Sequence, residues 1–451
     1  VIQKALHRLR PRRGISSDFA AYQIAAEAGA GRLEAAFTGS TIKHFTGESL
    51  RAYEVRLAPT DEQHRIVAAL EAYLSRLDAA VATLKRVQAN LKRYRASVLK
   101  AAVEGRLVPT EAELAEIEGR DYEPASVLLD RILEERRQRW EASGRKGRYV
   151  EPAAPDTSGL PELPEGWCWA TVEQVGEVQL GRQRSPKDHS GPFMRRYIRA
   201  ANITWKGMNL DDVNEMNFSP EEQPRFRLHP GDLLLNEASG SRSEVGKPAV
   251  WEGQIEECYF QNTVLRLRTV PGLQGWLFLH SLADAITGRF ADESRGVGIH
   301  HLGAEGLARH ILALPPLAEQ ARIVPEVERL TSLLEAEEQM LRSQLLRCTR
   351  LRQSILKWAF EGKLVDQDPA DEPAAALLAR IKAEREKQPQ GNGKRGRGRP
   401  RPTYAPPTEE PLAGPAKRLP ATPAAAAAQT PPPTVRIPRA RLAGQLPLFD
   451  K

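Results

Sequence analysis

The chain has 451 residues, of which 41% are hydrophobic and 27% charged, and no apolar run approaches the length of a membrane span. Its three cysteines, Cys168, Cys258 and Cys348, lie too far apart for a zinc cluster or a disulfide framework and predict a reducing, cytoplasmic setting. The formal charge of +7 does not argue for nucleic acid, because residues 386–451 hold 12 Lys or Arg against 4 Asp or Glu, which leaves −1 for residues 1–385.

Two segments of the sequence, residues 31–108 and 288–365, repeat each other at a constant offset of 257 without a gap. Glu62-Gln63 matches Glu319-Gln320, and Gly105 matches Gly362. Such a repeat predicts a molecule with a similar module at each end.

Each copy of the repeat contains a long segment without helix breakers. No Pro or Gly occurs between Pro59 and Gly105, or between Pro325 and Gly362. We therefore predict two helices, each of about 40 to 45 residues and about 60 to 68 Å long. Both would stop at the glycine of a Glu-Gly pair.

Apolar residues recur every seventh position in the first long helix. One column runs from Leu70 to Val98, and a second runs three places later from Tyr73 to Ala101. In the second helix the corresponding second column is interrupted by polar residues. Periodicity alone fits any coiled coil, but the presence of both copies in one chain favours pairing with each other.

Residues 144–159 form a polar linker, after which short β-type runs separated by Gly and Pro predict a mixed α/β domain. The counterpart of this domain would start before Val1, so we expect about a hundred residues of a first domain to be absent from the sequence. The basic tail is rich in Pro and Ala and predicts disorder.

No motif for catalysis or for binding a cofactor or metal is apparent. The segment from Gly240 to Pro248 superficially resembles a phosphate loop, but five residues separate its glycines where four are required, and Pro248 replaces the hydroxyl that would hold magnesium. The sequence has no His-Glu-x-x-His zinc motif and no Gly-x-Ser-x-Gly nucleophile elbow.

Candidate DNA-binding residues cluster in the α/β domain. Six basic residues and one acid lie between Arg182 and Arg199, and Arg side chains can contact phosphates or guanine edges. A solvated loop paired with nearby acids fits equally well. The predicted set is Arg182, Arg184, Lys187, Arg195, Arg196, Asn202, Ser239, Ser241, Arg242, Lys247, Gln261 and Asn262.

Two members of this set and one segment of the tail have a second interpretation. Gln261 and Asn262 are amides that suit adenine, although both could simply bond backbone groups at a strand start. Arg397-Gly398-Arg399-Pro400 resembles an AT-hook, which lies in a narrow A·T minor groove, although the short match and the biased composition favour an unspecific basic tail.

The order of these motifs resembles the specificity subunit of a type I restriction-modification system. The matching segments are Leu163 to Trp167, Tyr197 to Ile203, Gly231 to Asn236, Leu314 to Val324 and Glu361 to Val365. The ending, Gln445 to Asp450, is also similar to that family. Individually the motifs are modest, but their order and duplication are specific.

The resemblance implies α/β (α+β) target-recognition domains separated by two long antiparallel coiled-coil helices. It divides the chain into a C-terminal remnant of a first recognition domain (1–58), a first long helix plus short helix (59–143), the linker (144–159), a complete second recognition domain (160–315), a second long helix plus short helix (316–385), and the tail (386–451). Each recognition domain would read one half of a bipartite double-stranded DNA target.

The resemblance further implies a non-catalytic protein with methyltransferase and restriction subunits as partners. S-adenosylmethionine, ATP and Mg²⁺ are then expected on those partners, with no cofactor or metal in this chain. The incomplete first domain leaves a half-subunit that self-associates as an alternative. An inactive fragment that serves only as a coiled-coil scaffold, and an enzyme acting alone, are the others.

Overall fold

The computed structural model describes residues 6–39, 43–144, 146–293 and 299–387; the Arg-Gly-Arg-Pro segment and the rest of the tail from 388 lie outside these ranges. The helices of the described part are α1 (Ser17–Gly29), α2 (Gly47–Ala52), α3 (Thr60–Val103), α4 (Glu111–Glu118), α5 (Ala125–Ala142), α6 (Val172–Val175), α7 (Gln223–Phe226), α8 (Gln274–Thr287), α9 (Arg289–Asp292), α10 (Ala304–Arg309), α11 (Leu317–Phe360) and α12 (Ala374–Lys387). Short 3₁₀ turns occupy Arg32–Ala36, Pro186–Asp188 and Ala200–Asn202.

The strands of the described part all lie between α5 and α11. They are β1 (Cys168–Thr171), β2 (Gly176–Leu180), β3 (Met194–Ile198), β4 (Ile203–Thr204), β5 (Gly207–Met208), β6 (Asn214–Asn217), β7 (Leu233–Asn236), β8 (Ala238–Ser239), β9 (Pro248–Val250), β10 (Tyr259–Phe260), β11 (Val264–Thr269), β12 (His300–His301) and β13 (Ile311–Leu314). Mixed short strands and helices therefore sit between two long helices, as the sequence predicted.

The two long helices, α3 and α11, each contain 44 residues and are about 66 Å long at 1.5 Å per residue. Each begins directly after a proline, Pro59 or Pro316. Each is followed by the predicted glycine in a left-handed conformation, with φ of 66° at Gly105 and 70° at Gly362. Both helices end just before the predicted glycine stops, whereas α11 begins at Leu317 and so contains Pro325 inside the helix.

The long helices pack against each other in antiparallel orientation. The start of α3, including Ile66 and Leu70, shares a core with Phe360 at the end of α11. The end of α3, including Val98, shares a second core with Ile323 near the start of α11. Apolar burial at both ends holds the pair together.

Ion pairs along the helix pair occur in reciprocal positions. Arg95 on α3 faces Glu335 on α11 at 3.7 Å, and Arg352 on α11 binds Asp78 on α3. Each arginine is related to the other by the offset of 257, and so is each acid. The repeat therefore builds a pseudo-twofold pair in which each helix makes the same contacts to the other.

One column of the predicted helix seam was wrong. Leu70 and Leu77 are buried as predicted, but Tyr73, Val87 and Tyr94 in the second column are 47%, 39% and 50% exposed. The second buried column lies four residues after the first, not three, and starts at Leu74. Because a heptad seam alternates three- and four-residue steps, the second column can lie either three or four residues after the first. The column three residues after Leu70 is the more apolar one in the sequence, but the column four residues after it is the one that packs.

The matched Glu-Gln pairs fix the turn that leads into each long helix. The Gln63 side-chain amide donates to the Ala58 carbonyl, and that of Gln320 donates to the Pro315 carbonyl, both at 2.8 Å. Both glutamines are buried. The motif that revealed the repeat therefore has a structural role, which is to satisfy a backbone carbonyl that a Pro-terminated turn leaves unpaired.

The domain between the long helices is built on a four-stranded antiparallel sheet in the order β2-β11-β7-β9. Successive leucines of β7 point to opposite faces, as a pleated strand requires. Leu233 and Leu235 join the core formed with α3, α5, α8 and α11, and Leu234 joins a second core with Tyr197 and Phe260. A second sheet, β10-β3-β6, covers that second core.

The first repeat preserves part of this domain. Helix α1 begins 257 residues before α8, and α2 spans the positions that correspond to α10. Phe19 of α1 packs edge-on against Phe360 at a centroid distance of 5.2 Å. Helix α1 thus packs at the opposite end of the helix pair from the domain that contains the strands. No helix of the described residues is long and apolar enough to cross a membrane.

Candidate DNA-recognition surface

Four loops that are far apart in sequence meet at one edge of the second domain. They are residues 181–187 after β2, 199–202 after β3, 237–247 after β7, and 261–263 after β10. We refer to these four segments as the recognition edge. Strand pairing explains the convergence, since Leu180 lies opposite Leu265, and Val264 lies opposite Asn236.

Backbone hydrogen bonds link these loops directly. The Asn262 amide donates to the Arg182 carbonyl at 3.0 Å, and the Glu237 amide donates to the Thr263 carbonyl at 3.0 Å. The Ala200 amide donates to the Thr263 hydroxyl at 3.1 Å. The recognition edge is therefore a connected surface that carries members of every predicted loop.

Arg182 is committed to holding the first loop in place. Its side chain is 12% exposed and pairs with Asp188 at 2.9 Å and Glu222 at 2.8 Å. The hydrogen bond from Arg182 lowers the pKa of Asp188. Burial alone would raise the pKa of Glu222, but the hydrogen bond from Arg182 lowers it. A guanidinium with two carboxylate partners stabilises the loop.

Arg184 and Lys187 differ from Arg182 in being exposed. Among the described residues, neither has an ion pair or side-chain hydrogen bond. The Arg182 network holds the loop that bears them. This arrangement suits contact with DNA phosphates or base edges, because the cations are available and their backbone is fixed.

Arg195 and Arg196 lie on β3 itself rather than at the recognition edge. They precede Ile198, the last residue of β3, by three and two positions, which is about 7 to 10 Å along a strand. Arg195 faces Glu257 at 3.5 Å, and Arg196 faces Glu215 at 3.7 Å. The structure does not bring these two side chains together with the loop residues.

Asn202 is buried and shapes the recognition edge from below. Its side-chain amide donates to the carbonyls of Asn209 and Asp212, both at 2.9 Å, and its oxygen accepts from the Arg199 amide at 3.0 Å. Its hydrogen-bonding groups are occupied in folding the segment that follows β3.

The loop after β7 carries four predicted residues. Ser239 lies in β8 opposite His300, and its hydroxyl accepts from the Ser241 amide at 3.1 Å. Arg242 is 56% exposed and pairs with Asp292. The Lys247 side chain is only 9% exposed and pairs with Glu244. Ser241 and Arg242 thus remain accessible, whereas Lys247 lies inside.

Gln261 and Asn262 connect the two sheets. The Gln261 amide donates to the Ile198 carbonyl at 2.9 Å, and its side-chain oxygen accepts from Thr263 at 3.3 Å. A side chain at Gly181 would place its Cβ 2.2 Å from the Gln261 carbonyl oxygen, so only glycine permits this close approach. Both amide side chains remain partly exposed.

Comparison with known proteins finds similarity to type I restriction enzyme specificity subunits, although no protein-family model matches the chain. The EcoKI type I restriction enzyme specificity subunit of Escherichia coli K12 is 26% identical over 388 residues, which covers 84% of this chain and 74% of that subunit. The E. coli EcoDI specificity subunit is 25% identical over 356 residues, which covers 77% and 72%. A solved chain from a study of assembly and conformational transition of the type I R-M system has a TM-score of 0.52 at 19% identity, covering 77% of this chain and 71% of that one.

These relatives support the assignment of this chain as a type I specificity subunit. Two recognition modules separated by paired long helices are the architecture that the sequence predicted for such a subunit. The solved chain supports the fold alone, and the relatives extend the match over most of the described residues.

Sequence reasoning missed one surface residue of this chain, Trp205. Trp205 and Lys206 form the two-residue loop between β4 and β5, with Thr204 paired to Gly207. The Trp205 indole nitrogen donates to the Glu244 carboxylate at 2.7 Å, which joins this hairpin to the loop after β7. Two short strands flanking a two-residue turn, with Gly207 directly after the turn, were the signal that could have revealed the hairpin.

A buried polar cluster lies between α8 and the segment before β13. His280, Asp284 and His310 could hold a metal ion, since their ligand atoms lie within 4.8 Å of one another. The contacts present are hydrogen bonds, with Asp284 2.8 Å from each histidine and His310 2.6 Å from Glu293. The cluster fastens α8 to the strand that leads into α11.

Burial and charge act in opposite directions on this cluster. Burial alone would lower the pKa of His310, but hydrogen bonds to Asp284 and Glu293 raise it. Burial alone would raise the pKa of Asp284, but the two histidines lower it. The network therefore favours a protonated His310 between two carboxylates.

Proposed function

We propose that this specificity subunit selects the DNA target of a type I restriction-modification complex without performing chemistry itself. The observation that carries this proposal is the convergence of four polar loops at the recognition edge, where Arg184 and Lys187 are exposed on a fixed loop. Such a surface can use cations for phosphates and neutral polar side chains for base edges. Double-stranded DNA, methyltransferase subunits and restriction subunits are its partners.

The helix pair would set the distance between the two halves of a bipartite target. A rod about 66 Å long corresponds to about 19 base pairs at roughly 3.4 Å per pair, which bounds the separation that heads at its two ends can address. The two ends of α3 contribute to different cores, which supports the idea of one module at each end.

The exposed column of α3 would provide a docking surface for a methyltransferase subunit. Tyr73, Val87 and Tyr94 recur every seven residues or a multiple of seven, and all three are at least 39% exposed. Leu351 and Trp358 occupy corresponding positions on α11 and are 46% and 51% exposed. Aromatic side chains exposed along one helix face are typical of a protein interface. S-adenosylmethionine, ATP and Mg²⁺ would belong to the partner subunits.

Self-association of two copies is a second possibility that the reciprocal contacts support. Arg95–Glu335 and Arg352–Asp78 are equivalent ion pairs between the two repeats. The first repeat by itself contains one residue of each kind, Arg95 and Asp78, and so carries both the base and the acid that this contact needs. A molecule carrying one working head could therefore pair with another copy through the same contacts.

Selection from a random duplex pool, with the full chain and a companion methyltransferase at near-physiological salt, tests the proposal. Enrichment of a split target supports two heads on one chain, and a symmetric pair of half-sites supports self-association. A matched variant, Arg184→Ala with Lys187→Ala, should enrich the same sequence more weakly. If the unaltered protein enriches no sequence, the DNA-selection role is refuted and a coiled-coil scaffold remains.

A further inference from the structure

The hairpin at the recognition edge holds its tryptophan at the tip of a fixed turn. The Thr204 hydroxyl donates to the Gly207 carbonyl at 2.8 Å and accepts from the Lys206 amide at 3.1 Å. Gly207 has a φ of 97°, a conformation that favours glycine. The turn is thus stabilised by its own contacts, while Trp205 remains 41% exposed.

The Trp205 side chain is also anchored from the neighbouring loop. Its indole nitrogen donates to Glu244 at 2.7 Å, and the Lys247 ammonium lies 5.7 Å from the ring centroid. Lys247 in turn pairs with Glu244. The indole is therefore oriented before any partner binds, so that little conformational freedom would be lost on binding.

This anchoring does not bury the apolar surface of the indole. A large aromatic side chain that a buried lysine and a glutamate hold in position, yet that stays exposed among polar loops, contributes little to the core. The recognition edge bears the exposed cations Arg184 and Lys187, and Lys206 is exposed in the hairpin turn next to Trp205. These charges favour a polyanion over an apolar protein as the partner.

We propose that Trp205 packs against the apolar surface of a nucleobase in the target duplex and determines specificity at that position. The inference rests on the proposed function and adds a named contact to it. Two duplex features offer this surface: the methyl group of thymine in the major groove, and a base face uncovered where a side chain wedges into a step.

The test compares the full-length protein and its Trp205→Ala and Trp205→Phe variants, each with the companion methyltransferase, on the selected target and on an unrelated duplex. We expect Trp205→Ala to weaken target binding about tenfold or more and to leave binding to the unrelated duplex and its salt dependence unchanged. Trp205→Phe should retain most of the affinity, because phenylalanine keeps an aromatic face but lacks the donor to Glu244. Trp140→Ala is the control, since Trp140 lies on α5 against Tyr149.

Three results would overturn the inference while leaving DNA selection intact. The first is target binding by Trp205→Ala that equals the unaltered protein. The second is a Trp205→Phe variant as weak as Trp205→Ala, because the hydrogen bond to Glu244 would then be the contribution of the side chain. The third is loss of methyltransferase assembly with DNA affinity preserved. If the unaltered protein selects no sequence, the proposed function itself fails.

Uracil in place of thymine at each target position separates the two base surfaces. Loss of affinity at one position in the unaltered protein but not in Trp205→Ala identifies a methyl contact. Indifference to uracil, together with the loss in Trp205→Ala, identifies a base face. Either pattern supports the inference.

Discussion

Gly105 and Gly362 offer a matched test of how the second recognition domain is fastened to the helix pair. Both follow a long helix at the same repeat position, and their φ values are 66° and 70°. An alanine in this conformation costs about 1 to 2 kcal/mol at either site. The two sites differ in their surroundings, and that difference isolates the contact of interest.

At Gly105 a Cβ atom would lie 2.5 Å from Pro164 Cγ and 3.0 Å from the Trp167 ring, and Trp167 packs edge-on against Trp276. At Gly362 the nearest atom is the Gln367 side-chain amide at 3.4 Å, which can move away. Overpacking of this kind adds about 1 to 3 kcal/mol. We therefore expect Gly105→Ala to destabilise the protein by about 2 to 5 kcal/mol, and Gly362→Ala by only about 1 to 2.

Urea unfolding of the full chain, followed by tryptophan fluorescence and by far-ultraviolet circular dichroism, measures both effects. Trp167, which lies at the contact, is one of the seven tryptophans that contribute to the fluorescence transition. Equal destabilisation by the two substitutions would refute the reasoning, because it would mean that Pro164 and Trp167 do not press on the end of α3.

Three further predictions concern charged groups. Arg184→Ala with Lys187→Ala should reduce the slope of log DNA affinity against log salt concentration by up to about 2, without lowering the melting temperature. Arg182→Ala should lower the melting temperature, because Asp188 and Glu222 lose their ion-pair partner. Arg65→Ala should lower the melting temperature more than Arg322→Ala, since Glu111 keeps Arg120 at 2.7 Å while Asp371 has no second ion pair among the described residues; equal shifts would contradict this. Because the pKa of His310 is raised above 6.5, its charged form should stabilise the protein fully below about pH 6.5, and this stabilisation should be lost as the pH rises through the folded-state pKa. Unfolding curves measured over a series of pH values should show that His310→Gln removes this pH dependence and that His301→Gln does not.

The long helices were predictable because their signals are local. The absence of Pro and Gly, the glycine stops and the heptad column from Leu70 to Val98 all lie within one segment. The choice of the second column was not local, since it depends on the side from which α11 approaches. Tyr73 and Tyr94 made that column look more apolar than the one that contains Leu74 and Arg95, yet the latter column faces the partner helix.

The recognition edge was predictable only in part for a similar reason. A basic run and polar loops after β-type runs identified the correct segments, but not which arginines would be available. Arg182 acquires Glu222 from 40 residues away, and Arg196 acquires Glu215 across a strand pair. Sequence alone shows a charge and not its partner. Trp205 was missed because its importance comes from Glu244, which lies in a different loop.

The reciprocal contacts of the helix pair constrain how the two ends could address DNA. Arg65 reaches the Asp366 carbonyl and Arg322 reaches the Pro109 carbonyl, both at 3.5 Å, and each donor and acceptor pair is related to the other by the same offset of 257. A pseudo-twofold axis across the rod therefore relates the two halves. Rotation by 180° about this axis moves a surface from one end of the rod to the other end. A surface that faces along the axis stays on the same side of the rod after this rotation. A recognition domain at the other end of the rod, built like the one described, would then present its own recognition edge to the same duplex but in the opposite direction. The two half-sites would therefore be read in inverted orientation, even when their sequences differ.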